Sequence, residues 1–553
     1  MAQRHGTESR RHRAGDCGRA LPSVRFEGAN PIVPGEKKSP MQAPYDTEVT
    51  ADVFAEAKNT FNWLIGQLTD TASGMLTHDR LEETIVEQGR ELQRQLLQAH
   101  LDLRALRERQ QAHHARHYGT AAGVIGSDGV SRRRLETGHH RLLATLVGTV
   151  TITRCAWRAP EVRNLYPADA ALSLPAVRHS AGLAKLAVIE TVRGSFDAAH
   201  AALTARCGNV IGKRQIEQAV VAAAVDVDAF YAARTPLPCT ACTVLAISVD
   251  GKGVAMRPEA LRPATAKAAA RARAAFRTRP AAGEKPARKR MATLGVVYDV
   301  EPAPRRPHDV IAVPGGRAGQ RPPRTRPSAI RKWLCGLIIT GPAAVIAKVF
   351  DHAEARDPGH ARPWVVLVDG ARHQLDLITA EAARRRFGVH TVIDLVHVLE
   401  RLWAAAWSVH PPAAPAAEDW VAGHALALLA GHTDHVITAL SGQATSTAAH
   451  HRDGIDACIR YLTNNLEYLR YDQALEAGWP IATGVIEGTC RHLIADRFDL
   501  AGARWGLAGA EVVLKLRALI ANGDLDEYWR FHLARQHERV HQTGYQDGYS
   551  LTA

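Results

Sequence analysis

An apolar run that ends in a single acid limits the folds open to this chain more than any other feature. Residues 244–253 have the sequence Val-Leu-Ala-Ile-Ser-Val-Asp-Gly-Lys-Gly, so that Asp250 closes a run of strand length. Residues 364–370 repeat the pattern and place Asp369 directly before a glycine. Continuous apolar runs of this length are typical of strands that are buried on both faces of a sheet. Because an Asp-Gly pair alone also marks a turn, it is the matched pair that predicts two strands of one sheet converging on one acidic site.

Further strand and helix patterns surround these two runs. Strands are predicted at residues 292–300, 334–340 and 389–393, and helices at residues 343–355 and 508–520. Three strands, a helix and a further strand, with an aspartate at the end of the first strand and of the last, is the order of a ribonuclease-H-like domain. We therefore predict an α/β ribonuclease-H-like catalytic core over residues 240–410, a helical insertion over 411–480, and a return to the core over 481–525, where Glu487 lies in a helical segment.

The N-terminal region is predicted to be mainly helical. Residues 46–120 have the spacing of amphipathic helices, which fits either a coiled-coil dimerisation element or a packed antiparallel hairpin. Residues 121–175 predict a small β-rich module in which no chemistry is evident. The polar ends of the chain predict a disordered tail over residues 1–45, with Met1 or Met41 as the true start, and a partly ordered tail over residues 526–553.

Residues 176–238 predict a helix-turn-helix-like DNA-binding region. One helix begins at Ser180, Ser195 caps the next, and a third begins near Gly212. The first turn of this third helix carries three side chains that can contact DNA, namely Lys213, Arg214 and Gln215. An ordinary three-helix bundle has the same pattern, so both interpretations stay open.

Positive charge is concentrated in two stretches on either side of the second predicted strand. The net charge of the chain is +13, and residues 257–290 and 302–332 together carry a larger excess of Lys and Arg than that. Both stretches are rich in Pro, Ala and Arg, which predicts loops or extended basic arms within residues 257–332. Such arms are suited to holding a polyanion, and DNA above all. A solubilising surface that reflects a GC-rich genome is the alternative.

Composition argues against several other classes of protein. The 8 cysteines are scattered, and the one close pair, Cys239 and Cys242, lacks the further ligands that a zinc site needs. We therefore expect ordinary reduced thiols and no zinc hydrolase. No apolar run reaches the ~20 residues of a membrane span, and the N-terminus lacks the apolar segment of a secretory signal. A cytoplasmic, nucleoid-associated protein with no membrane partner is expected.

Asp250, Asp369 and Glu487 are the three carboxylates that we expect to meet. Hard oxygen ligands suit Mg²⁺ or Mn²⁺. Two such ions about 3.5 to 4 Å apart activate a water or a 3′-hydroxyl for in-line displacement at phosphorus. Three confined acids repel one another without a cation, so the predicted cofactor is Mg²⁺ or Mn²⁺, in two copies, with these residues as its ligands.

Five short segments share their pattern with one known family. They are Val-Asp-Gly-Lys-Gly-Val-Ala-Met at 249–256, Val-Leu-Val-Asp-Gly-Ala at 366–371, Ile-Asp-Leu-Val-His-Val at 393–398, Gly-Val-Ile-Glu-Gly-Thr-Cys-Arg-His at 484–492 and Leu-Ala-Gly-Ala-Arg-Trp at 500–505. With these segments the chain resembles a bacterial insertion-sequence transposase of the DDE type, specifically the Kra-type insertion-sequence group, which is related to Mutator-like transposases.

The resemblance implies a ribonuclease-H-like domain whose catalytic and metal-binding triad is Asp250, Asp369 and Glu487. Asp394 and His397 match an Asp-x-x-His signature of the related Mutator-like transposases. His397 is therefore expected to position a DNA strand or a nucleophilic water, with core packing as the alternative.

The expected function is DNA transposition. The protein would bind the terminal inverted repeats of its element through residues 180–233, hydrolyse phosphodiester bonds at the ends, and join the 3′-hydroxyls to target DNA, acting as a homodimer or higher oligomer. Further DNA contacts are expected from Lys252, Arg491, Arg504 and Trp505. The alternatives are a decayed transposase that only binds DNA and a structure-specific nuclease of the same fold.

Overall fold

The computed structural model of the chain describes residues 53–117, 123–236, 242–273, 288–312, 324–411 and 414–548. The predicted disordered tail at 1–45, with the alternative start at Met41, lies outside the described residues, as do parts of both basic arms and Cys239. None of the described helices has the length and apolar character that a membrane span requires.

Two helices open the described chain and pack as an antiparallel hairpin. They are α1 (Ala55–Thr69) and α2 (His78–His117). Gln95, well inside α2, donates a hydrogen bond of 3.2 Å to Glu56 at the start of α1, which fixes the antiparallel direction. Within one chain the two helices thus have the arrangement of the packed hairpin, one of the two predicted alternatives.

A small β-rich module follows, as predicted for residues 121–175. It consists of β1 (Val124–Ile125), β2 (Ser131–Arg132), β3 (Arg134–Thr145), β4 (Gly148–Arg158) and the short helix α3 (Pro167–Ala171). Strands β3 and β4 form an antiparallel hairpin that closes at Thr145 and Gly148. Leu143, Val150 and Ile152 of this hairpin pack against Leu101 of α2 in a small separate core.

Four helices occupy residues 181–233. They are α4 (Ala181–Arg193), α5 (Phe196–Cys207), α6 (Lys213–Ala223) and α7 (Val227–Ala233). The hydroxyls of Ser180 and Ser195 cap α4 and α5, as predicted for Ser195. Buried residues of α4 to α7 belong to the same hydrophobic core as the central sheet, so this region has no core of its own.

The central sheet has five strands, each close to where the apolar runs predicted it. In chain order the elements are β5 (Val244–Ala255), α8 (Pro263–Arg273), β6 (Lys289–Val300), α9 (Pro307–Val310), β7 (Ala329–Leu337), α10 (Pro342–Arg356), β8 (Trp364–Val368), α11 (Arg372–Arg385) and β9 (His390–Ile393). The spatial order is β7-β6-β5-β8-β9, with β5 antiparallel to β6 and parallel to β8. The prediction of extended arms is wrong for α8, because its run of alanines favours a helix.

The rest of the chain is helical. It contains α12 (Leu395–Val409), α13 (Pro415–Leu429), α14 (Thr433–Ser446), α15 (Asp453–Asn464), α16 (Tyr471–Glu476), α17 (Gly484–Cys490), a π-helical turn (Arg491–Ala495), α18 (Asp496–Phe498), α19 (Leu507–Ala521) and α20 (Leu525–Val540). Asn522, after α19, accepts a hydrogen bond from the Leu334 backbone N–H at 2.8 Å and donates one to its carbonyl at 3.0 Å. The Asn522 side chain thus makes the two backbone hydrogen bonds that a neighbouring strand would make with Leu334 of the edge strand β7.

The prediction of a partly ordered C-terminal tail at 526–553 is wrong for the described residues. Helix α20 buries Tyr528 completely. Arg539 of the same helix donates to both carboxylate oxygens of the buried Asp226, at 2.6 and 2.9 Å, and His532 contacts that carboxylate at 2.6 Å. The polar residues that suggested a tail are thus the partners of a buried acid.

Candidate functional site

The strand register brings Asp250 beside Asp369. Strands β5 and β8 are parallel, and their pairing runs up to Ser248 opposite Leu367. Continued by two residues beyond this last pair, the same register aligns Asp250 with Asp369, which directly follows the end of β8 at Val368. Residues in register on neighbouring parallel strands lie about 4.8 Å apart and project from the same face of the sheet. The register therefore directs both acids to the same face of the sheet. Asp369 directly follows β8, whereas Asp250 lies inside β5, so the prediction that the first strand ends at Asp250 is wrong.

A tight turn fixes Asp369. Gly370 has a φ of 84°, and a Cβ at this position would lie 2.9 Å from the hydroxyl of Tyr461. That hydroxyl donates a hydrogen bond of 2.8 Å to the Asp369 carbonyl, and Asp369 Oδ1 accepts one of 2.9 Å from the Ala371 N–H. Glycine is therefore needed directly after the acid for backbone conformation and for space.

Asp250 contacts the helix that carries the third acid. Its Oδ1 accepts from the Gly251 N–H at 2.5 Å, and its Oδ2 lies 3.3 Å from Cys490 Sγ. Burial and the nearby Asp250 raise the pKa of Cys490, so the thiol stays protonated and donates. Glu487 stands three residues before Cys490 on α17, and hence on the same helix face.

Thr483 links Glu487 to the Asp-x-x-His pair. Its Oγ1 lies 2.6 Å from Asp394 Oδ2 and 3.2 Å from Glu487 Oε1. Since a hydroxyl has one proton, it donates to the nearer carboxylate. Glu487 is thereby placed beside Asp394 while its second oxygen receives no hydrogen bond from any group that the structure describes.

Asp394 is a completely buried acid whose four acceptor positions are filled. Oδ1 accepts from the backbone N–H groups of Val396 and Thr483 at 3.0 and 3.1 Å. Oδ2 accepts from the Thr483 hydroxyl and from His397 Nδ1, the latter at 2.8 Å. The bond to Val396 also caps α12.

His397 is oriented by this carboxylate. With Nδ1 engaged by Asp394, Nε2 is the ring nitrogen left for a substrate or a cation. Burial lowers the pKa of His397, but the hydrogen bond and charge of Asp394 outweigh burial, so that the pKa is raised. The charge of Asp369 contributes in the same direction, which places His397 near Asp369. Packing alone, the alternative predicted for His397, leaves this polar pairing unexplained.

One set of ligand atoms in the described residues is compact enough to hold a metal ion, and it differs from the predicted triad. Single ligand atoms of Asp394, His397 and Glu487 all lie within 4.8 Å of one another. Asp250 and Asp369 are not in this set. Because the lone pairs of Asp394 are already used, we assign it a positioning role and not a metal contact, although its distance alone would allow one.

The oxygens of the three triad carboxylates suit a hard divalent cation, because none of the three carboxylates has strong donors on both of its oxygens. Asp369 Oδ2 and Glu487 Oε2 accept no hydrogen bond from the described part of the chain, and Asp250 Oδ2 is contacted by a thiol. Carboxylate oxygens without stronger donors are suitable ligands for Mg²⁺ or Mn²⁺.

Several predicted DNA contacts lie on the surface near this site. Lys252 stands two residues beyond Asp250 on β5 and is exposed, as are Arg491 and Arg504. The prediction for Trp505 requires correction. Its ring is only 7% exposed and packs 4.6 Å from the Arg497 guanidinium and 4.5 Å from Phe498. The backbone of Trp505 pairs with Ala255 at the end of β5, and this pairing holds the ring inside.

The three polar residues at the start of α6 differ in whether their side chains already have a partner in the structure. Lys213 forms an ion pair with Asp197 at 2.6 Å. The Gln215 side chain accepts from the Gly212 N–H at 2.9 Å and so caps the helix. Arg214 is exposed and has no acidic partner among the described residues. Of the three, Arg214 is the best placed to contact a partner without breaking an existing bond.

Sequence reasoning missed four residues of the site. They are Tyr461, Thr483, Cys490 and Gln374, whose Nε2 donates to the Val249 carbonyl at 2.5 Å. Thr483 had a signal, because it stands one helical turn before Glu487. Tyr461 had none, since it reaches Asp369 from the predicted insertion.

No protein-family model matches this sequence, and no curated protein does either. A function for this protein must therefore be inferred from the chemistry of the site.

Proposed function

We propose that this protein is a DDE-type transposase with a ribonuclease-H-like catalytic domain, which cleaves DNA at the ends of an insertion sequence and joins the freed 3′-hydroxyls to target DNA. The observation that carries the proposal is the parallel register of β5 and β8, which aligns Asp250 inside β5 with Asp369 directly after β8, together with the contact of Asp250 with Cys490 on the helix of Glu487. The strand order and the helix between β7 and β8 support the fold assignment.

A bound Mg²⁺ or Mn²⁺ ion would stabilise charge on the phosphate and lower the pKa of an attacking water. Asp369 and Glu487 each have a carboxylate oxygen that accepts no hydrogen bond from the described residues, and Asp250 Oδ2 would exchange its weak thiol donor for the cation. His397 is fixed through Nδ1 by Asp394, and its Nε2 accepts from the water when the ring is neutral or donates to a phosphate oxygen when the ring is protonated.

Exposed cations around the acids support a nucleic-acid substrate. Lys252, Arg491 and Arg504 are exposed near the site, and Arg214 is exposed on α6. Lys and Arg contacts to phosphates supply most of the sequence-independent affinity for DNA. We infer that the DNA backbone follows these residues, and that the terminal repeats are bound by α4 to α6.

At least a dimer is proposed, because two element ends must be brought together. The α1–α2 hairpin exposes large apolar side chains that suit a contact between copies, with Phe61 51%, Trp63 49% and Val86 60% exposed. A cytoplasmic, nucleoid-associated location belongs to the same proposal.

Cleavage of duplex DNA that flanks the coding region tests this function. The full chain with Mg²⁺ or Mn²⁺ should nick the labelled duplex, and EDTA should abolish nicking. Asp250→Ala, Asp369→Ala and Glu487→Gln should remove cleavage and leave binding in a gel-shift assay intact. Asp376→Asn is the matched control, because Asp376 is an exposed acid of nearby α11 paired only with Arg372. Equal cleavage by the control and by the triad variants would refute the assignment.

A non-catalytic DNA-binding protein is the second candidate. It is favoured by one observation, namely that the three triad acids do not form a compact ligand set in the described residues. DNA binding by the wild type without metal-dependent nicking would favour this candidate. A structure-specific nuclease would instead cut branched DNA better than the flanking duplex.

A further inference from the structure

The pairing between β5 and β8 ends just before the two triad aspartates. Its last pair is Ser248 opposite Leu367, and β8 ends at Val368, whereas β5 continues to Ala255 through its pairing with β6. Beyond Ser248, β5 therefore pairs with a strand on one side only in the part of the chain that the structure describes. Buried backbone groups on the other side need partners from elsewhere, because an unpaired buried carbonyl costs about as much free energy as a lost hydrogen bond.

A side-chain amide supplies the partner beside Asp250. The Leu245 N–H of β5 donates to the Pro363 carbonyl at 3.0 Å, so the backbone groups of Leu245 face the side of β8. The backbone groups of every second residue in a strand point to the same side, and the carbonyl of Val249 therefore faces that side too. Val249 is only 2% exposed, and its carbonyl accepts a hydrogen bond of 2.5 Å from Gln374 Nε2.

Gln374 connects the backbones of the two aspartates. It lies in the first turn of α11, which follows Asp369 after a short turn, and its own N–H donates to the Ala371 carbonyl at 2.9 Å. The carbonyl that its side chain contacts belongs to the peptide group between Val249 and Asp250. One side chain therefore links the turn after Asp369 to the peptide group before Asp250.

Both peptide groups that flank Asp369 have partners for their carbonyls. The Val368 carbonyl accepts from the Asp394 N–H at 2.8 Å, and the Asp369 carbonyl accepts from the Tyr461 hydroxyl at 2.8 Å. Tyr461 lies on α15, within the predicted helical insertion, and its ring is 5.2 Å from the Arg401 guanidinium. The insertion thus contributes a hydrogen bond directly to the backbone of a triad acid.

We propose that Gln374 and Tyr461 are positioning residues, which fix the backbones of Asp250 and Asp369 relative to each other and so give the site its preference for Mg²⁺ or Mn²⁺ over Ca²⁺. This inference rests on the proposed function, since it requires that both aspartates bind a cation. The triad acids do not form a compact ligand set in the described residues. With their backbones held by hydrogen bonds, side-chain rotation is the movement left to bring their oxygens to an ion.

The physical basis of this preference is the different tolerance of the ions for misplaced ligands. Mg²⁺ demands near-ideal octahedral geometry, and Mn²⁺ is suited to the same octahedral oxygen sites, whereas Ca²⁺ accepts a flexible arrangement with a variable number of oxygens. Ligands that are already in place also lose less freedom on binding. Removal of either hydrogen bond should therefore weaken Mn²⁺ binding more than Ca²⁺ binding.

Metal titration of the full chain tests this role. Mn²⁺ binding is followed by electron paramagnetic resonance, and Ca²⁺ affinity is obtained from competition with Mn²⁺. Gln374→Met keeps the length of the side chain without its donor, and Tyr461→Phe removes only the hydroxyl. Each should weaken Mn²⁺ binding by about fivefold or more and Ca²⁺ binding by at most about twofold. Partial unfolding alone would lower both affinities by the same factor, so the ratio of the two affinities isolates the positioning role.

Gln98→Met and Tyr528→Phe are the matched controls, because each removes the same kind of hydrogen bond elsewhere. Gln98 Nε2 donates to the Thr151 carbonyl at 2.8 Å, and the Tyr528 hydroxyl donates to the Ala223 carbonyl. These variants should lose stability in urea and keep the wild-type ratio of Ca²⁺ to Mn²⁺ affinity. An unchanged ratio in Gln374→Met and Tyr461→Phe, or an equal change in the controls, would overturn the inference.

The aspartate variants separate this inference from the proposed function. If Asp250→Asn and Asp369→Asn bind Mn²⁺ as tightly as the wild type, or if the wild type binds none, the proposed cation site is wrong and the positioning role falls with it. If the aspartate variants lose Mn²⁺ binding while Gln374→Met and Tyr461→Phe retain wild-type affinity for both ions, the cation site stands and the positioning role alone is wrong.

Discussion

Replacement of Asp394 by asparagine tests the hydrogen-bond network behind the candidate site. The substitution keeps the shape of the side chain and changes one acceptor into a donor. The amide oxygen can replace Oδ1, which accepts from the Val396 and Thr483 N–H groups. The amide NH₂ then replaces Oδ2 and faces the Thr483 hydroxyl and His397 Nδ1, both of which donate in the wild type.

The number of hydrogen bonds gives the expected loss of stability. Two bonds to a charged oxygen contribute about 1.5–3 kcal/mol each. Part of this is recovered, because the Thr483 hydroxyl can rotate to accept and neutral His397 can take its other tautomer. Such neutral bonds return about 1 kcal/mol each. The free energy of unfolding should therefore fall by about 1–4 kcal/mol in Asp394→Asn.

Urea unfolding followed by tryptophan fluorescence measures this loss. Asp434→Asn is the matched control, because Asp434 is an exposed acid in the first turn of α14; its loss should cost at most about 1 kcal/mol. DNA nicking by folded Asp394→Asn should also fall, because the exchanged tautomer changes Nε2 of neutral His397 from an acceptor to a donor. Equal unfolding free energies for the two variants, or full nicking activity in Asp394→Asn, would refute the role given to Asp394.

Two further predictions concern the turn after Asp369 and the C-terminal helix. Gly370→Ala should destabilise the protein by about 1–3 kcal/mol and reduce nicking, because the new Cβ meets Tyr461 at a φ of 84°. Gly341→Ala is the control, because there is open space around its Cβ, and it should change neither stability nor nicking. Denaturation curves compare the stability of the two variants. Asp226→Asn should lower the free energy of unfolding at neutral pH by about 3–5 kcal/mol. Burial raises the pKa of Asp226, but Arg539 and His532 outweigh it, so the folded pKa is lowered. The stabilisation by Asp226 is then present above the ordinary Asp pKa of about 3.9 and is lost as pH falls through the lowered pKa of the folded state. The difference in free energy of unfolding between wild type and Asp226→Asn, measured in urea, should therefore shrink in acid. A difference that does not change with pH would contradict the account.

Local patterns predicted the elements of the central sheet because the buried part of each strand is mainly apolar, as in β8, which is buried throughout. The run before Asp369 correctly located this acid at a strand end, whereas Asp250 lies inside β5, which continues to Ala255 through its pairing with β6. The parallel register of β5 and β8, which aligns the two acids, is a long-range property that no local pattern contains. Helix capping predicted the start of α5 at Ser195, because the cap is a contact within four residues.

Long-range partners explain what the sequence could not predict. The sequence predicts a tail at the C-terminus because Arg539 and His532 look like surface residues until the buried Asp226 is placed beside them. Trp505 matched a motif, but its backbone pairing with Ala255 holds the ring inside. Tyr461 approaches Asp369 from ninety-two residues away, so no spacing in the sequence indicates the contact.

Direct measurement of metal binding tests the central claim, that Asp250, Asp369 and Glu487 form a divalent-cation site. Mn²⁺ is titrated into the metal-free full chain and followed by electron paramagnetic resonance. The account predicts saturable binding by the wild type and by Asp376→Asn, and binding at least about tenfold weaker in Asp250→Asn, Asp369→Asn and Glu487→Gln. Wild-type affinity in all three triad variants, or no Mn²⁺ binding by the wild type, would contradict it.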